Sequence, residues 1–138
     1  MINPEMLYPG LALIVWTYVM WLWMYVTRVP AIQKAQIDME ELSRTGAPLE
    51  LPADVARVAD NYNHLHEQPT LFYALICIAA LIGAVDSLQV MLAWGYVGMR
   101  VIHSLIQATR NVIIVRFGVF VVTSLVLFTL LVRTILLA

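Results

Sequence analysis

Apolar residues in this chain fall in long, nearly unbroken runs, without the alternation of a half-buried strand or the one-sided stripe of a surface helix. A bilayer-spanning helix needs ~20 mostly apolar residues. Four stretches meet that length, at about residues 6–28, 54–83, 87–109 and 112–136. The first carries no charge from Met6 to Thr27, just before Arg28. In the second, only the later part from Pro69 to Val85 is strongly apolar. Length favours helix over strand. Four segments are also too few to close a barrel, and only helices or closed barrels satisfy their backbone in lipid.

The polar punctuation fits the same plan. The one sizeable polar stretch, about residues 30–53, opens with AIQKAQIDMEELSR, which has helical propensity, and Thr45-Gly46-Ala47-Pro48 then breaks it. Asp54 is the expected N-cap of the second span, Gly83 its terminator, and Asp86 or Ser87 the cap of the third. Short connections then predict an all-α integral membrane protein, one membrane domain over residues 1–138, folded as a four-transmembrane-helix up-down bundle. The first run reads as a retained span. No basic residue precedes it, and Trp16, Trp21, Trp23 and Tyr25 suit a membrane interface better than a signal core.

Composition agrees: 62% of the 138 residues are apolar and 12% charged, against ~45–50% and ~25% in ordinary soluble domains. A soluble fold of this size could not hide so much apolar surface. The net charge of −1 offers no basic stripe, which excludes nucleic-acid binding. The single cysteine, Cys77, excludes an internal disulfide and is expected as a small buried hydrophobe. No metal-type Cys/His spacing occurs. Arg28, Lys34, Arg44 and Arg57 flank or lie in the first loop, and Arg110 and Arg116 the third turn, whereas the loop at Asp86 has no cation. Basic residues collect on the cytoplasmic side, so both termini are expected to face away from it. Arg133, the exception, is expected to snorkel to the far interface.

Chemistry concentrates at the cytoplasmic ends. Arg57, Asn61, His64 and Glu67 follow at steps of four, three and three, which puts them on one face of a continuous helix. Arg100, His103, Ser104 and Gln107 share a face of the third span, and Arg116 sits in the first turns of the fourth with only apolar flanks. Polar stripes are costly against lipid, so these three should meet inside the bundle, at a subunit contact or at a wet cavity. Such a layer suits an anionic or zwitterionic ligand; it also suits a structural pair between Glu67 and Arg100 or Arg57. His66 points away from the stripe, and Asp38, Glu40 and Glu41 read as a solvated face of the first loop.

Four spans, a long first cytoplasmic loop, and a polar second helix with Arg57, Glu67 and Pro69 resemble the MAPEG family, the membrane-associated proteins in eicosanoid and glutathione metabolism. The segment MRVIHSLIQATRNVIIVRF is similar to the family's third-helix Arg-x-x-His pattern, Arg100 and His103, followed sixteen residues after Arg100 by the fourth-helix Arg116. The resemblance covers about residues 6–136. It implies a homotrimer with lipid-facing sites between subunits and, in a bacterial member, the cell inner membrane. It also implies glutathione as co-substrate and a lipophilic second substrate arriving through the bilayer. The Glu67 position is implied to contact the glutathione amino group, Arg100 to line the pocket, and Arg116 to stabilise the thiolate. Arg57, Asn61, His64, His103 and Gln107 complete the candidate ligand-binding set. Asp60, Asn63, His64, Gln107 and Phe120 depart from the family's usual residues at their positions. Two readings follow: a glutathione-dependent transferase or peroxidase, or a non-catalytic member binding a lipid or a membrane-protein partner. A small multidrug exporter is disfavoured, because that class needs a carboxylate in the middle of the first span.

Overall fold

The computed structural model describes residues 2–138. A 3-10 turn at Pro4–Met6 leads into six α-helices: α1 Tyr8–Lys34, α2 Met39–Thr45, α3 Ala53–His64, α4 Gln68–Ile82, α5 Ser87–Ala108 and α6 Ile113–Leu137. There is no strand among the described residues.

α1 continues past the expected end near residue 28. It runs through Pro30 to Lys34, so the start of the expected loop is helix. Ala31, Gln33 and Lys34 are good helix formers, and the proline removes a single backbone donor. Left-handed Gln36 (φ 52°) then turns the chain. Asp38 caps α2 by accepting from the backbone N–H groups of Glu40 and Glu41, at 3.0 and 3.2 Å. Gly46 ends it in the left-handed conformation (φ 69°), where a side chain would be strained.

The second span is not one helix. It breaks at Leu65–Glu67 between α3 and α4. Pro69, at the start of α4, has no N–H, and its ring excludes the carbonyl of residue 65 from an α-helical position. Tight turns bridge the gap: the backbone N–H of His66 donates to the Asn63 carbonyl (3.0 Å), and that of Glu67 to the His64 carbonyl (3.1 Å). The N-cap of α3 is Pro52, without a side-chain hydrogen bond; Asp54 instead sits in the first turn, where its charge favours the positive helix end.

α5 packs along α6, and α1 packs on α3 and α5. The core contains Leu13, Met20, Val58, Leu65, Leu130 and a stacked pair, Phe72 on Tyr96, with ring centroids 4.3 Å apart. Gly10 lets α1 approach α4: a Cβ there would lie 2.5 Å from Ile76 Cδ1. Three helical stretches, Pro4–Lys34, Ala53–Ile82 and Ile113–Leu137, are long and apolar enough to cross a membrane. α5 has 22 residues but carries a buried polar stripe. Only 17% of the most apolar window of α6 is buried, so most of that helix offers its side chains to lipid or to another subunit. Cys77 lies on the exposed face of α4, not in the core, because an outward face in lipid is itself an apolar environment.

Arg133, expected to snorkel to the far interface, has a partner there. It pairs with Asp86 at the start of α5, because antiparallel packing brings the two together. Asp86 has two tasks, since its other oxygen accepts from the Gln89 backbone N–H at 2.8 Å. One turn away, Gln89 Nε2 donates to Thr134 Oγ1 (3.0 Å). Asp86→Ala is expected to cost about 1–3 kcal/mol, combining a lost cap and a partly exposed ion pair. Asp86→Asn keeps the cap and should recover most of that loss. Thermal unfolding of the two variants in detergent checks the ranking.

Candidate functional site

At the end of the molecule away from Asp86, α5 ends at Ala108 and α6 begins at Ile113. The turn between them is closed by Asn111, left-handed at φ 51°, whose N–H donates to the Ile106 carbonyl at 2.7 Å. Its side chain has a second use: Asn111 Oδ1 accepts from Arg116 Nη1 at 2.7 Å. Arg116 was expected to have no local partner. It has one, a neutral amide, and no carboxylate pairs with it among the described residues.

Arg116 opens onto a cleft of about 250 Å³ lined by His64, Glu67, His103, Gln107, Ile113, Arg116, Phe117 and Phe120. Three elements build it. The α3–α4 break contributes His64 and Glu67, α5 contributes His103 and Gln107, and the first turns of α6 contribute the rest. His64 Nδ1 lies 3.1 Å from Glu67 Oε2, and both side chains remain largely exposed. The His103 ring sits 6.2 Å from that of Phe120. His103 Nδ1 and Gln107 Oε1 are buried without a protein partner among the described residues.

Five of the eight sequence-predicted residues thus share one cleft: Arg116, His64, Glu67, His103 and Gln107. The other three do not line it. Asn61 and Arg100 are 0% and 1% exposed on α3 and α5, which pack together; Arg57 is half-buried. The expected single stripe of Arg57, Asn61, His64 and Glu67 is interrupted by the helix break, so Glu67 belongs to the start of α4 and not to the face of α3. Buried polar atoms are normally hydrogen-bonded. Here Arg57 Nε, both polar atoms of the Asn61 side chain, Arg100 Nε and Nη2, and Ser104 Oγ have no partner among the described residues. An unpaired guanidinium wants an anion, and the helix that carries Arg100 also carries His103 and Gln107, which line the cleft. Asp60, one of the departures noted above, is exposed and outside the cleft. Asn111, Ile113 and Phe117 were not anticipated; the asparagine just before an apolar helix was the available signal for the turn.

Gln68 ties the three helices together just beyond the break. Its Nε2 donates to Ser124 Oγ (2.7 Å), and its Oε1 accepts from Tyr96 Oη (3.2 Å). That network holds α4 against α5 and α6 and so fixes Glu67, its neighbour in sequence, relative to Arg116.

Comparison with curated proteins and with solved structures gave no match. The model of the MAPEG family matches residues 6–136, nearly the whole chain. With its helical architecture and membrane-length apolar spans, the chain belongs to the MAPEG family.

Proposed function

We propose that the protein is an integral membrane homotrimer of four-span subunits, each a single membrane domain. α3 and α4 together make the second span and α5 the third. Each Arg116 cleft takes glutathione and works as a glutathione-dependent transferase or peroxidase on a lipophilic substrate that arrives from the bilayer. The observation that supports this most is the half-buried Arg116 guanidinium, facing an open cleft with an amide as its hydrogen-bond partner and no carboxylate paired with it.

The donor set fits the ligand. Glutathione carries one ammonium, two carboxylates and a thiol. Glu67 accepts from the ammonium, while His64 and Gln107, which line the cleft, supply donors toward the carboxylates, with Arg57, Arg100 and Asn61 behind them. Bound there, glutathione supplies the sulfur nucleophile. Arg116 favours the thiolate, because a guanidinium beside sulfur stabilises the anion. Ile113, Phe117 and Phe120 give the cleft an apolar wall, the side from which a lipophilic co-substrate would meet the sulfur. Phe120 also favours the second reading, a non-catalytic ligand-binding member, since it offers no hydroxyl where related enzymes often have a tyrosine.

Thermal unfolding with and without glutathione tests the reading. At ~100 times its dissociation constant, a ligand adds about 2.7 kcal/mol to stability. A stabilisation of that size is expected with glutathione, and an unchanged transition would overturn the assignment. The orientation has its own check. With both termini on the non-cytoplasmic side, a cysteine placed at Ser43 in α2 should react with impermeant maleimide only after the cytoplasmic face is opened. Labelling in intact cells would reverse the topology.

A further inference from the structure

Asparagine is among the preferred caps of helix N-termini, where its side-chain oxygen takes a backbone N–H. Asn111 stands one residue before Val112, the N-cap of α6, and no side chain caps that helix. Its Oδ1 instead accepts from Arg116 Nη1 at 2.7 Å. We propose that Asn111 is the positioning residue of the thiol site: it holds the Arg116 guanidinium at the cleft through a neutral acceptor, and so leaves the charge to the bound thiolate. This role rests on the thiol reading of the cleft and adds to it the group that aims the arginine.

Three observations carry it. First, the origin of the Asn111 side chain is fixed. The residue is left-handed at φ 51°, and its N–H donates to the Ile106 carbonyl of α5 at 2.7 Å. The amide is thus anchored to α5 while the guanidinium it holds belongs to α6, and these two helices supply every lining residue of the cleft except His64 and Glu67. Second, Arg116 needs holding there. It lies in the first turns of α6, where the positive helix end disfavours a cation, and it forms no ion pair among the described residues. Third, the partner is uncharged. Asn and Asp both tolerate the left-handed conformation, so the turn alone does not select the amide. A carboxylate at 111 would cancel much of the field that favours an anion in the cleft. The other titratable groups facing Arg116 are His64 and Glu67 from the helix break and His103 from α5. Glu67 is already paired with His64, at 3.1 Å. Arg110, in the same turn as Asn111, is exposed and does not line the cleft.

The test follows the ultraviolet absorbance of bound glutathione thiolate against pH in the full-length protein in detergent, together with thiol-transfer turnover. Asn111→Asp keeps the turn and the acceptor and adds a charge. It should raise the pH midpoint of the thiolate by about one unit. Turnover below that midpoint should fall about tenfold, with the deficit shrinking as pH rises. Asn111→Gly keeps the turn, since glycine adopts positive φ freely, and removes the acceptor. It should lower kcat about tenfold, the worth of one hydrogen bond to a charged group, with KM for glutathione near the parent's. In an Arg116→Ala background, Asn111→Asp should move the midpoint no further. Equal midpoints in Asn111→Asp and the parent would overturn the role and leave the thiol reading standing. So would an undiminished shift in the Arg116→Ala background, because the new carboxylate would then act on the sulfur directly. Failure of both Asn111 variants to assemble would overturn it by making the asparagine a turn former only. Absence of glutathione binding by the parent would overturn the thiol reading and this role with it.

Discussion

Arg116→Ala is expected to assemble and to unfold within about 1–2 kcal/mol of the parent, the worth of one hydrogen bond, while glutathione-dependent turnover falls ~10²–10³-fold, the usual cost of removing one preorganised donor at a developing anion. The asymmetry follows from the partner. Had Arg116 been fastened to Glu67, its removal would strand a carboxylate at a cost of ~3–5 kcal/mol. In the structure Glu67 pairs with His64 instead, and Arg116 donates to Asn111. Truncation therefore frees an asparagine oxygen beside an open cleft, which water can reach. Arg116→Lys sharpens the reading. Lysine keeps the charge and loses the planar fork, so partial activity is expected. Sedimentation or native mass measurement, unfolding and a thiol-transfer assay on the same preparations check all three statements. An Arg116→Ala protein with full glutathione-dependent activity would remove the catalytic assignment; one that no longer assembles would make the arginine a structural group.

What could be read from the sequence is what lipid dictates. A run of apolar residues in a bilayer must be helical whatever its propensities, so α5 and α6 begin and end within a few residues of where the pattern puts them. The Arg100, His103 and Gln107 face was legible for the same reason, since one unbroken helix carries all three. The failures sit where the chain leaves ideal helix. Pro69 acts on residues 65–67, several positions before itself, and so divides a stripe that simple spacing joins. Pro30 does the reverse: the helix passes through it, because the residues beyond favour helix. The Asn111 contact depends on a left-handed turn, and the Asp86–Arg133 pair on two helices packing antiparallel across 47 positions of sequence. Neither can be seen in a run of residue types. Cys77 was misplaced for a further reason: apolar character does not separate the core from the lipid face in a membrane protein.

Arg100→Met should raise the unfolding temperature of the ligand-free protein and at the same time weaken glutathione binding. Arg100 is 1% exposed, two of its nitrogens have no hydrogen-bond partner, and no carboxylate pairs with it among the described residues. Such a charge has paid the loss of hydration without recovering it, and apolar groups of similar volume in place of buried charges are often stabilising by ~1–4 kcal/mol. Methionine suits the slot, being unbranched and adaptable. The substitution strands no anion, because the Glu67 side chain is 65% exposed and already paired with His64. Binding should move the other way. Arg100 lies behind the cleft wall and acts on a bound carboxylate through its charge alone, an attraction of about 1–2 kcal/mol at an effective dielectric of ~20, so its loss should weaken glutathione about tenfold. Opposite signs in the two measurements are the signature of a charge kept for its ligand at the expense of the fold. A loss of both stability and binding would instead mark Arg100 as one half of an ion pair completed in the assembled protein.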